Sequence, residues 1–135
     1  MADPKLEHVK SWLATAWQDL EAAVWLMESP ASLFGAVGFH CQQAVEKSLK
    51  AYLTWQDRPF EKTHSLVVLL ETCLEADPSF DTVRIAAVSL TPYAEVLHHP
   101  GDILHIGMDE AYTAIELAQQ AYEFILAKMP LAVRG

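Results

Sequence analysis

Gly38-Phe39-His40-Cys41-Gln42-Gln43-Ala44-Val45-Glu46-Lys47-Ser48-Leu49-Lys50-Ala51-Tyr52-Leu53, followed by Phe60-Glu61-Lys62-Thr63-His64-Ser65-Leu66, is the stretch on which the reading of this chain turns. Val37, Cys41, Ala44, Val45, Ser48, Leu49 and Tyr52 recur at spacings of three and four, which places small and apolar residues on one face of an α-helix. Gln42, Glu46, Lys47 and Lys50 form its polar edge. Gln43, Glu46, Lys47 and Lys50 share one strip, so two readings stand side by side. They form intrahelical pairs contributing about 0.2–0.5 kcal/mol each, or Lys47 and Lys50, with Lys62 and His64 beyond the helix, recognise a phosphate group, a nucleotide or an acidic partner. Gly35 and Gly38 each cost roughly 1 kcal/mol relative to alanine in a helix interior. Their presence predicts close approach of another backbone, with the first helix as the expected neighbour.

Working outward, Asp3 as N-cap and Pro4 at the first helical position start a helix that runs to about Glu28. Val9, Trp12, Leu13, Ala16, Leu20, Ala23, Val24 and Met27 trace its apolar face. Trp17 and Trp25 widen that surface; core packing is expected for them, with a subunit interface as the alternative. Ser29-Pro30 breaks the helix, because proline lacks an amide donor and disfavours helical geometry before it. The second helix is expected from Ala31 or Ser32 to near Trp55. Thr63 is the expected N-cap of a third helix reaching Ala76, and Asp81 of a fourth interrupted at Thr91-Pro92. Residues 98–107 read as the one sizeable loop, and a fifth helix starts at Asp109-Glu110 and ends about Lys128. The prediction is all-α: one domain over residues 1–135, an antiparallel four- to five-helix up-and-down bundle.

Composition supports this. Hydrophobic residues make up 52% and charged residues 20%, which excludes a disordered chain. No apolar run approaches the roughly 20 residues that span a bilayer, and the start lacks a secretory pattern. A cytoplasmic protein without membrane contact is expected. Cys41 and Cys73 fall at apolar helical positions and read as buried thiols. A formal charge of −9 argues against an extended nucleic-acid surface. The basic residues that could form a small local site cluster as Lys47, Lys50, Arg58 and Lys62, whereas Asp19 and Glu21 count among the dispersed acidic excess.

The run A-x-x-F-x-x-Q-Q-A-x-E-K-x-L-K-A from Ala36 to Ala51, with K-T-H-x-L at Lys62–Leu66, resembles the signature of HEPN domains. These are small helical proteins of prokaryotes named for nucleotide binding and often encoded beside a minimal nucleotidyltransferase. The resemblance implies a helical bundle that commonly dimerises. It also implies a nucleotide- or RNA-related module paired with a minimal nucleotidyltransferase protein, as in toxin–antitoxin pairs. No cofactor is implied.

Among HEPN ribonucleases an R-x4-6-H motif cleaves RNA without metal. Histidine moves a proton near neutral pH while a cation stabilises the charge developing on phosphorus. The match by count here is Arg58 to His64, with five residues between. It lies between the second and third helices, where K-T-H-x-L belongs to the family's non-catalytic pattern, so His64 is expected to fix this connection. Where relatives show R-Y-P, this chain has His98-His99-Pro100, which replaces a permanent guanidinium with an imidazole. A ribonuclease toxin using Arg58 with His64, or His98 and His99, is the alternative. A further alternative is a metal-binding protein using His98, His99, Asp102 and His105; a polar exposed loop is the default there, and no metal is expected. His40 reads as a satisfied core or interface histidine. Nothing resembles a phosphate loop, a zinc CxxC pair or a nucleophile elbow.

Overall fold

The computed structural model describes residues 3–97 and 106–134. Six α-helices occur among them: α1 Pro4–Met27, α2 Phe34–Trp55, α3 Leu66–Ala76, α4 Arg84–Leu90, α5 Met108–Ala127 and the short α6 Leu131–Arg134. Two 3-10 segments, Pro78–Val83 and Thr91–Leu97, flank α4. There is no strand among the described residues, and the expected helical bundle is observed.

α1 and α2 form an antiparallel hairpin. Lys5 near the start of α1 meets Asp57 after the end of α2 at 2.8 Å, while Asp19 farther along α1 meets His40 near the start of α2 at 2.8 Å. α5 closes the bundle against α2, with α1 alongside. Cys41, Val45, Leu49 and Leu53 of α2 are fully buried, as are Leu69, Leu70 and Ile125 from neighbouring helices. Tyr52 and Phe124 pack on Phe80 with ring centroids 4.3 and 5.3 Å apart, an aromatic knot between α2, α5 and the first 3-10 segment.

Asp3 caps α1, accepting from the Lys5 amide at 3.0 Å, as its position before Pro4 predicts. α2 starts at Phe34, three residues after Ala31, because Ser32 takes a left-handed backbone (φ 54°) after Pro30. Its far end turns through Asp57 (φ 55°), which lets the Arg58 amide donate to the Leu53 carbonyl at 2.9 Å. Thr63 does not cap α3. Ser65 does, its hydroxyl accepting from the Val68 amide at 3.3 Å, while Thr63 accepts from the Ser65 amide at 3.0 Å one turn earlier. Likewise Asp77, accepting from the Ser79 amide at 2.9 Å, caps the 3-10 segment. Asp81, the expected cap, instead binds the Arg84 guanidinium at 2.7 Å.

The second glycine of α2 has a different neighbour from the one expected. A Cβ on Gly38 would lie 3.1 Å from Tyr93 and 3.3 Å from Ile106, so a ring and a methyl group, rather than the backbone of α1, require the absence of a side chain. Trp17 and Trp25 do not enter the core: they are 51% and 78% exposed. Among the described residues no helix is long and apolar enough to cross a membrane.

Candidate functional site

Two buried carboxylates organise the polar edge of α2. Glu46 is 4% exposed and accepts from Lys50 Nζ at 3.0 Å and Gln42 Nε2 at 3.1 Å, with His64 Nδ1 at 2.9 Å. Gln42, itself fully buried, also donates to the His64 carbonyl at 2.9 Å and accepts from Gln43 at 2.7 Å. Gln42, Glu46 and Lys50 stand four residues apart on one helical strip. That strip therefore grips the α2–α3 connection through both the ring and the carbonyl of His64.

The second carboxylate is Asp19, 8% exposed on α1. Its oxygens take Lys47 Nζ at 2.7 Å and His40 Nδ1 at 2.8 Å. One carboxylate, one lysine and one histidine thus recur twice along α2, first clipping α1 to α2 and then α3's leader to α2. A buried carboxylate facing histidine Nδ1 orients the ring and directs its Nε2 away from the acid.

Burial would push the Glu46 carboxyl up, but the hydrogen bonds from His64, Gln42 and Lys50, together with the Lys50 charge, override it and hold the group below its ordinary range. Lys50 also lies over the rings of Trp12 and Phe60, 5.7 and 5.9 Å from their centroids. The Trp12 indole N–H is the one buried side-chain donor without an acceptor among the described residues. One ammonium group therefore meets two aromatic faces where α1, α2 and the α2–α3 connection come together.

The structure does not hold Arg58 and His64 on common ground. Arg58 reaches back to Glu75 on α3 at 3.4 Å, an exposed pair, whereas His64 is held by Glu46. Lys47 and Lys50 lie in the network, but Lys47 serves Asp19 across the hairpin instead of an intrahelical partner; Glu46–Lys50 is the intrahelical pair. Lys62 is exposed, with no ion pair among the described residues. His98, His99, Asp102 and His105 lie outside the described residues. Among the described residues no three His, Cys, Asp or Glu side chains are placed to hold a metal ion. His40 is satisfied by Asp19, as expected of a histidine on that strip.

Asp19 is the residue that sequence reasoning missed. Counted by charge it belongs to the dispersed acidic excess, yet it sits three residues after Ala16 and four before Ala23, on the shoulder of the buried face. That register was the available signal. Cys41 and Cys73 are buried free thiols, and burial pushes each up to about 12, with the Asp19 charge adding to the rise at Cys41.

A sequence model described as the HEPN domain matches residues 9–129. No curated protein and no solved structure gives a significant match.

Proposed function

The chain belongs to the HEPN domain family, and from that premise we propose that it is a non-catalytic, nucleotide- or RNA-related interaction module that works with a minimal nucleotidyltransferase, in the manner of a toxin–antitoxin pair. Its resemblance to HEPN proteins of that kind supports the pairing. The observation that carries the non-catalytic part is the separation of duties between Arg58 and His64. Arg58 points back to Glu75 on α3, 3.4 Å away at the surface, whereas His64 faces the buried Glu46 at 2.9 Å. An arginine–histidine pair that cleaves RNA needs both groups directed at one phosphate. The supporting feature for a nucleotide is the cation–aromatic cluster at Lys50, whose ammonium group stands over Trp12 and Phe60: aromatic faces stack bases and cations meet phosphate.

The test has two readings from one preparation. Protein recovered from its native lysate is analysed by mass spectrometry, for what accompanies it and for its own intact mass, and the purified chain is incubated with RNA in chelator. Recovery of a small nucleotidyltransferase, or a mass increase equal to an attached nucleotide, with RNA left intact, is the expected result. RNA cleavage in chelator that is lost in His64→Ala or His99→Ala, with the fold intact, would overturn the proposal in favour of a ribonuclease.

A further inference from the structure

α4 covers α5 incompletely. Ile85 and Val88, three apart on one face of α4, are 70% and 56% exposed. Beside Ile85 a groove of about 130 Å³ runs between α4 and α5, lined by Val83 and Ala86 on one side and by Leu117, Ala121 and Phe124 on the other. A second groove, of about 220 Å³, takes up at Leu117 and continues past Leu90 and Tyr93 to Asp109 and Glu110. The two share Leu117 and form one furrow along α5. From Glu110 to Phe124 it follows the helix for ~21 Å. Each groove is smaller than the roughly 300–1,000 Å³ of sites that enclose a small molecule, whereas the length and the apolar floor suit a helix laid along the furrow.

Charge on the border identifies that helix. Asp109, Thr113, Glu116, Gln120 and Glu123 follow one another at spacings of four and three and so form one strip of α5. Asp109, Thr113 and Gln120 line the furrow, which places Glu116 and Glu123 along its edge. All three acids are exposed, and they and Glu110 have no ion pair among the described residues. Arg84, the cation of α4, is held by Asp81 and Glu71 at 2.7 and 3.1 Å and leaves these charges unanswered. An apolar floor beside an unneutralised acidic border is complementary to an amphipathic helix whose apolar stripe is flanked by lysine or arginine. A second copy of this chain would bring the same acids against these. Nucleic acid and an anionic lipid surface would be repelled by them as well.

We propose that the α4–α5 furrow is the docking site for a basic amphipathic helix of a different protein. This rests on the reading of the chain as an interaction module and goes beyond it, naming the surface and the chemistry of the segment that meets it. Its test uses a peptide, so it can fail while a nucleotidyltransferase is still recovered, and succeed where none is.

Isothermal titration of the full chain with a capped helical peptide of about 18 residues, carrying leucines at spacings of three and four and lysines on both flanks of that stripe, is the experiment. A peptide with glutamate in place of each lysine is the comparison. The lysine peptide is expected to bind at least about tenfold more tightly, and to weaken as salt rises. Ile85→Asp, at a side chain exposed enough to leave the fold intact by circular dichroism, is expected to weaken its binding more than about tenfold. Glu116→Lys combined with Glu123→Lys should do the same. Glu21→Lys combined with Glu28→Lys, on α1, changes the net charge equally and should leave binding within about twofold. Equal affinity for the two peptides, unchanged binding in both furrow variants, or a loss in the α1 variant as large as in the α5 variant would overturn the proposal. So would sedimentation showing that the parent self-associates and that Ile85→Asp abolishes this, since a second copy would then occupy the furrow.

Discussion

Replacing Glu46 with glutamine keeps the shape of the side chain and removes the charge that the α2–α3 connection is built on. In the folded protein that carboxylate receives Lys50 at 3.0 Å, Gln42 at 3.1 Å and His64 at 2.9 Å while being 4% exposed. Removing one partner of a buried ion pair typically costs about 3–5 kcal/mol. Lys50 retains its contacts over Trp12 and Phe60, which places Glu46→Gln at the low end, about 3 kcal/mol. For a domain of this size that lowers Tm by roughly 10 °C. The loss must also depend on pH. The folded-state pKa of Glu46 lies below the ordinary value: burial raises it, but the hydrogen bonds from His64, Gln42 and Lys50 outweigh that effect. A depressed carboxyl stabilises the fold fully above the unfolded glutamate pKa of about 4.3 and ceases to do so as pH falls through the folded value. Thermal or urea unfolding of parent and variant should therefore show the full gap at pH 7 and a shrinking one below about pH 4. A gap of equal size at both pH values, or no gap at pH 7, would refute the account of Glu46 as the ionised centre of this connection.

Other consequences are open to direct measurement. Gly38→Ala should cost about 1 kcal/mol in the parent, because the new Cβ meets Tyr93 at 3.1 Å and Ile106 at 3.3 Å; in a Tyr93→Ala background it should instead gain about 0.5–1 kcal/mol from helix propensity. Urea titrations of the four proteins decide between these signs. Cys41 and Cys73, pushed up to about 12 by burial, should resist a thiol reagent at pH 8 in the folded protein and react promptly in denaturant; fast labelling without denaturant would contradict their burial. Arg58→Ala removes an exposed pair with Glu75 and should change unfolding free energy by less than about 0.5 kcal/mol, whereas a large loss would mean that Arg58 does more than this pair shows.

Much of the bundle was legible because a helix repeats its own geometry. The three-and-four spacing of Val37, Cys41, Ala44, Val45 and Leu49 predicts a buried face, and these residues are fully buried. Asp3-Pro4, Ser29-Pro30 and Asp77-Pro78 mark three boundaries through local backbone chemistry that needs no neighbour. The caps at Thr63 and Asp81 were misplaced because several hydroxyls and carboxylates compete within one turn. Ser65 and Asp77 win through the path the chain takes on leaving the previous element.

The candidate site was legible only in part. Gln42, Glu46, Lys50 and His64 could be singled out as polar groups in a helical signature. That Glu46 would draw the other three to itself, and that Asp19 would do the same for His40 and Lys47, depends on which residues α1 and the α2–α3 connection bring to α2.

By itself, then, the amino-acid sequence determined the helices, most of their buried faces, the all-helical bundle and the family resemblance. These follow from spacing along one chain and from the backbone preferences of proline, glycine and the capping residues. Tertiary structure alone decided that Asp19 is buried while Trp17 and Trp25 remain in water, that Gly38 makes room for Tyr93, and that Arg58 and His64 answer to different carboxylates. Periodicity gives a residue's angle on its own helix. What stands opposite at that angle is set by the packing of the other helices, and that packing decides whether a charge is paired, buried or left to solvent.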